Sequence, residues 1–185
     1  GLGGMSRTFH DLYRNHLIRS PYKDKKRPIL INNWEATYFD FDEQKLLDIA
    51  KEASKLGIEM LVMDDGWFGN RFDDNRALGD WQVNEEKLKG GLKKLVNGVN
   101  ALGMKFGIWF EPEMVSPESK LYREHPDWAI AIPGRTLGLG RNQYVLDTSR
   151  KEVRDHILGM MFDVLHSANI KYVEWDMNRP LSDLG

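Results

Sequence analysis

Ile58-Glu59-Met60-Leu61-Val62-Met63-Asp64-Asp65-Gly66-Trp67 decides how the rest of the chain is read. Ile58 to Met63 is a short apolar run that breaks abruptly into two aspartates, a glycine and a tryptophan. Bounded by Gly57 on one side and polar residues on the other, it predicts a buried strand. Just upstream, Leu46, Ile49, Ala50 and Ala53 recur at helical spacing, and Gly57 supplies the stop. Asp40, with Glu43 three residues on, fits a capping box at the start of that helix. Further upstream, Ile29-Leu30-Ile31 predicts a strand broken by Asn32-Asn33-Trp34.

The same alternation continues downstream. Leu88, Leu92, Leu95, Val96 and Val99 predict a second helix ending at Gly103, and Met104 to Phe110 a third strand closing in Glu111-Pro112-Glu113. A long loop from Val115 to Tyr144 follows, carrying Pro117, Pro126 and Pro133; loops of that length in compact domains are usually functional. Ser149 and Glu152 fit another capping box, ahead of Val153, Ile157, Met161 and Leu165 on one helical face. Ile170 to Trp175 is the fourth strand, ending in Asp176-Met177-Asn178-Arg179. Strand–helix alternation implies right-handed βαβ units and a parallel sheet. Residues 1–28 lack a clean period and read as a lead-in segment or an irregular β-rich piece.

All four strands end in polar or aromatic residues on the C-terminal side, where an α/β barrel builds its active face. The fold expected is α/β, half of a (β/α)8 TIM barrel over residues 29–185, because a whole barrel takes roughly 250 residues. The chain opens on Gly rather than Met, so an excised fragment is expected and the lack of a signal peptide says nothing about export. Half a barrel leaves two open strand edges, which predicts completion by a homodimer. An open flavodoxin-like sheet is the alternative.

Composition excludes several functions. The net charge of -2 supplies no basic surplus for nucleic acid or an anionic membrane, and the chain contains no cysteine for a disulfide or a thiolate site. No apolar run approaches the ~20 residues of a membrane span. A cytoplasmic location is the expectation. Neither a dinucleotide-binding nor a P-loop glycine pattern follows any strand, and the five histidines are scattered without ligand spacing. Asp64, Asp65 and Glu111 could hold a hard cation, but sugar hydroxyls suit them better, so no metal and no cofactor is expected. Aromatics make up 11% of the chain, with six Trp. Trp34, Trp67, Trp109 and Trp175 fall at strand ends beside Asp64, Asp65, Glu111, Glu113 and Asp176. Indole faces stack on the apolar patches of a pyranose, carboxylates accept from its hydroxyls, and glycoside hydrolysis needs two carboxyl groups. Against this stands the plainer alternative that tryptophans pack cores and strand-end acids cap helices.

The motifs also carry a resemblance. Asn32-Asn33-Trp34-Glu35-Ala36-Thr37, Met63-Asp64-Asp65-Gly66-Trp67-Phe68-Gly69, Gly107 to Val115, Gly140-Arg141-Asn142-Gln143 and Trp175-Asp176-Met177-Asn178-Arg179 resemble, in order, the motifs of family 36 glycoside hydrolases, microbial α-galactosidases of the raffinose and melibiose type. Gly1 to Arg7 with Phe9-His10 is similar to the segment before that family's barrel. The resemblance implies a retaining double displacement on terminal α-linked galactose, with α-galactosides as partners. It makes Asp176 the nucleophile, Trp34 and Trp109 pocket walls, Asp64 and Asp65 hydroxyl acceptors, and Arg141 a donor. Asn178 would contact the hydroxyl beside the anomeric carbon. The family's acid/base aspartate lies on a later strand, beyond residue 185. The family pattern also has lysine where Glu174 stands, so a donor at the sugar has become an acceptor. Positions 174 and 176 share a strand face, and a like charge there should raise the pKa of Asp176. Both departures predict impaired hydrolysis. A non-catalytic sugar-binding or structural half-barrel is the competing expectation.

Overall fold

In the computed structural model, which describes residues 1–181, four parallel strands lie side by side in chain order. They are β1 (Leu30–Asn32), β2 (Met60–Met63), β3 (Lys105–Phe110) and, after a short antiparallel pair β4 (Met114–Val115) and β5 (Tyr144–Val145), β6 (Ile170–Trp175). Leu61 sits opposite Phe106, and Ile108 opposite Val173. A flavodoxin-type sheet reverses direction after its first strand. Here the order never reverses, so the open-sheet alternative fails and the four strands advance as they do around a barrel. The described residues stop short of 182–185, the last four of the expected half-barrel segment.

The helices are α1 (Leu2–Leu12), α2 (Trp34–Thr37), α3 (Glu43–Lys55), α4 (Gly91–Ala101), α5 (Lys120–Glu124) and α6 (Lys151–Ser167). Three of them form because apolar residues recur every three or four positions and meet the sheet. α3 buries Leu46, Ala50 and Ala53; α4 buries Leu92, Leu95, Val96 and Val99; α6 buries Val153, Ile157, Met161 and Val164. Each such leucine, isoleucine, valine or methionine contributes about 1.5–3 kcal/mol when fully removed from water, and each alanine less. All of β2 is buried, as for a parallel strand covered on both faces. β1 and β6 each have one unpaired edge in this sheet, and Leu30, Tyr172 and Trp175 lie exposed on them.

Three local expectations need correction. Residues 2–12 are helical rather than β-rich, continuing into one π-helical stretch at Tyr13–Leu17, and none of α1 is buried. The cap of α3 is Asp42, whose carboxylate accepts from the Lys45 N–H at 2.8 Å, while Asp40 instead pairs with the Lys45 ammonium. At α6 the cap position is Arg150, without a side-chain cap bond, because Ser149 is engaged with Asp147. The long loop is also less irregular than expected. Pairing of β4 with β5 ties its two ends together, and α5 plus a 3-10 turn at Pro126–Trp128 fill it. No helix among the described residues is long and apolar enough to cross a membrane.

Candidate active site

The C-terminal ends of the four parallel strands and the long loop surround one cavity of about 350 Å³. Trp34, Asp64, Asp65, Trp109, Arg141, Glu174, Asp176 and Asn178 all line it. β1 ends on Asn32, whose Oδ1 accepts the Trp34 N–H at 2.7 Å and turns the tryptophan into the opening. Tyr38 and Phe39 hold the Trp34 ring edge-on at 5.2 and 5.1 Å. The buried Asn33 joins the ends of β1 and β2, accepting the Asp64 N–H at 2.8 Å while donating to Thr37.

The two aspartates after β2 are set differently. Asp64 accepts from Asn32 Nδ2 and from the Asp65 N–H, and burial pushes its pKa up. Asp65 is held by the buried Arg71 guanidinium through three contacts of 2.8 to 3.2 Å. Arg71 also reaches Asp74 at 2.9 Å, and Asp74 reaches Arg141 at 3.3 Å. Burial alone would lower the Arg71 pKa, but Asp65 and Asp74 outweigh it and hold the guanidinium charged above its usual range. Arg141 stands at the tip of a tight turn closed by Gly140 and Gln143, with φ +47° there and +58° at Asn142. Such left-handed backbone is uncommon outside glycine.

Asp176 follows β6 and is tied down at both oxygens. Its Oδ2 accepts from Trp109 Nε1 at 3.1 Å and from Asn178 Nδ2 at 2.5 Å; its Oδ1 accepts the Met177 N–H at 2.8 Å. Beneath it, the fully buried Glu111 accepts the Asn178 backbone N–H at 2.5 Å and takes longer bonds from the Asn178 and Gln143 amides. Burial raises the Glu111 pKa, with Asp176 and Asp65 adding to the rise. Glu174 shares Asn32 Nδ2 with Asp64, at 2.9 Å on its own side. Burial raises its pKa, and the next cause is the charge of Asp64, with Asp176 a weaker contributor. The like charge expected to bear on Asp176 thus falls more heavily between Glu174 and Asp64.

Not every strand-end candidate joins the cavity. Trp67 is fully buried and donates to the Trp109 carbonyl at 2.9 Å, so for this residue the core reading holds. Trp175 points to the opposite face of β6 from its neighbours 174 and 176 and donates to Glu113 at 2.9 Å. Conversely Asn32, Glu35 and Asp74 line the cavity although they were not among the expected site residues, and Glu111, expected as a strand-end carboxylate, lines it as well. Asn32, Glu35 and Glu111 lie within the quoted motifs. Asp74 and its partner Arg71 lie in an irregular loop with no periodic signal. The result is a polar cleft with the Trp34 indole at its side, the buried Trp109 reaching it through an N–H on Asp176, many fixed carboxylates and Arg141, an arrangement suited to a polyhydroxylated ring. Among the described residues no group of three or more His, Asp or Glu is arranged to hold a metal ion.

The family profile described as Melibiase matches residues 1–185. The chain belongs to the melibiase family. Among its melibiase relatives, alpha-galactosidase AgaA of Geobacillus stearothermophilus is 58% identical over 185 residues, which is 100% of this chain and 25% of the relative. Alpha-galactosidase Mel36A of Lactobacillus acidophilus is 55% identical over 184 residues, again 100% of this chain and 25% of that protein. A crystal structure of a variant of the GH36 enzyme AgaA in complex with raffinose matches with a TM-score of 0.94 at 58% identity, covering 100% of this chain and 26% of that one. The chain thus spans about a quarter of the length of the melibiases it matches.

Proposed function

We propose that this chain carries the galactose-binding part of a retaining α-galactosidase active site, acting on terminal α-linked galactose as in raffinose and melibiose. One observation carries the reading: a single cavity collects every residue that the motifs single out for a galactose pocket. Asp176 is the nucleophile, aimed by Trp109 and Asn178. Two N–H donors on one carboxylate oxygen leave the carboxylate oriented for attack on the anomeric carbon. Trp34 and Trp109 form the walls, Asp64 and Asp65 accept hydroxyls, and Arg141 donates across the mouth. Asn178, already on Asp176, is placed for the hydroxyl next to the anomeric carbon. Raffinose in the AgaA variant structure supports this substrate class.

A retaining displacement wants its second carboxyl about 5–5.5 Å from the nucleophile. In this proposal that acid/base comes from outside the described residues. Residues 1–28 act as a lead-in and residues 29–185 as the half-barrel unit. The unpaired edges of β1 and β6 support closure by a second copy, two four-stranded sheets related by a two-fold axis making an eight-stranded ring. Glu174 lowers turnover because it offers the sugar an acceptor where lysine would donate.

The test measures galactose binding by NMR and release of p-nitrophenol from the α-galactoside, for the parent and for Glu174→Lys. The proposal expects galactose to bind and Glu174→Lys to raise turnover by ten-fold or more. Absence of galactose binding in both proteins overturns it, and binding without turnover in both reduces the chain to a sugar-binding half.

A further inference from the structure

Lys87 is a buried ammonium outside the cavity. Its Nζ donates to the Phe39 carbonyl at 2.7 Å, and lies 4.3 Å from the centre of the Phe41 ring and 5.3 Å from that of Phe72. No carboxylate among the described residues lies within ion-pair distance of it, so two aromatic faces and one carbonyl replace its water. A lysine held this way is uncommon, because a strongly hydrated ammonium is costly to bury without a charged partner.

What it grips is the support of the cavity. The Phe39 ring meets Trp34 edge-on at 5.1 Å, and the Arg71 guanidinium lies 5.6 Å from the centre of the same ring. The backbone between Asp65 and Trp67 closes the cluster: a Cβ on Gly66 would meet Phe39 at 3.0 Å, and Lys87 Nζ and Phe41 at 3.3 Å. Lys87 also accepts the Glu43 N–H at its carbonyl, tying the start of α3 to the same knot. The ammonium therefore joins the turn that follows Trp34 to the loop carrying Arg71.

We propose that Lys87 is a positioning residue for the sugar site, its positive charge clamping Phe39 so that Trp34 stands as a rigid wall. The proposal rests on Trp34 being a wall of the galactose pocket. The ammonium holds the Phe39 carbonyl with a charge-assisted bond that a neutral amine makes more weakly. The neutral amine also loses its attraction to the Phe41 and Phe72 faces, so the clamp on Phe39 depends on the proton. The charged groups that act on it are Asp65 just after β2 and Asp40 on the turn after α2; Arg71 lies across Phe39, and the nearby Glu43 carboxylate is taken by Lys94. Burial, only partly offset by Asp65 and Asp40, lowers the Lys87 pKa to about 8. The clamp therefore loosens in mildly alkaline solution.

The experiment follows the Trp34 indole N–H resonance, assigned with Trp34→Phe, and galactose affinity between pH 7 and 9.5. The parent is expected to show a Trp34 transition centred near pH 8 and a several-fold loss of affinity across it. Lys87→Met should lose about ten-fold in affinity at pH 7 and show no such transition. Lys87→Arg, which keeps its charge throughout, should restore affinity and stay flat to pH 9.5. A Trp34 resonance that does not move in the parent, or moves equally in Lys87→Arg, overturns the proposal. If no galactose binds at any pH, the galactoside reading fails while the Trp34 titration still decides the role of Lys87.

Discussion

At the scale of single residues, the cavity is an exercise in burying carboxylates beside one another. Glu111 is the extreme case: fully buried, held by Asn178, and facing Asp176 and Asp65. Its pKa is raised in the fold, so between the ordinary value near 4.3 and the raised one the folded chain binds a proton that the unfolded chain has released. Stability must then fall as pH rises through that window, as the charge is forced into the interior. Glu111→Gln removes the effect. The difference in urea midpoint between parent and variant should therefore shift against the parent as pH goes from 4 to 7. A difference that is flat over this range would remove Glu111 from the account. The residues legible beforehand were those directly after apolar runs, since a parallel strand delivers its next few residues to one end of the sheet. Arg71 and Asp74 were not legible. They act through a guanidinium that reaches Asp65 from six positions away in an irregular loop, and no spacing rule describes such a reach.

At the scale of elements, apolar periodicity located α3, α4 and α6 because their buried stripes must face a sheet. Their starts were harder. Asp40 and Asp42 both precede the helix, and a pattern of residue types does not choose between them. Backbone does: Asp42 is extended, with φ -136° and ψ -178°, so its carboxylate folds back on the first turn. Asp42→Ala should cost about 1 kcal/mol, while Asp40→Ala should stay within about 0.5 kcal/mol because its pair with Lys45 is exposed. Urea unfolding of the two variants checks the ranking. α1 escaped notice for the opposite reason. Leu2, Met5, Phe9 and Leu12 do recur at helical spacing, yet Gly3 and Gly4 weaken its first turn, and no core receives the stripe.

At the scale of the whole molecule, the order of the strands separated a barrel from a doubly wound sheet, and that order was not readable from local pattern. Each βαβ unit looks the same in either topology; only the direction in which the next strand is laid down differs. The resemblance of the motifs supplied what periodicity could not. Strands laid down without reversal curve towards closure and leave the outer hydrogen-bonding groups of β1 and β6 unanswered within the sheet. Pairing of two copies is expected to show in sedimentation as a dimer at micromolar concentration that dissociates on dilution. A monomer throughout would mean that these edges are met in some other way.

The aromatic packing has an optical consequence. Trp109 lines the cavity, and it also lies 6.3 Å from Phe68 and 6.1 Å from Trp81, which in turn meet Trp67 and Phe110. At such separations the indole transitions couple, and their near-ultraviolet circular dichroism belongs to the block rather than to any one ring. The Trp109 Nε1–H meets Asp176 at the cavity floor, so a ligand bound against Asp176 would perturb a member of that coupled set, and the buried interior would broadcast, without any label, what occupies the cleft.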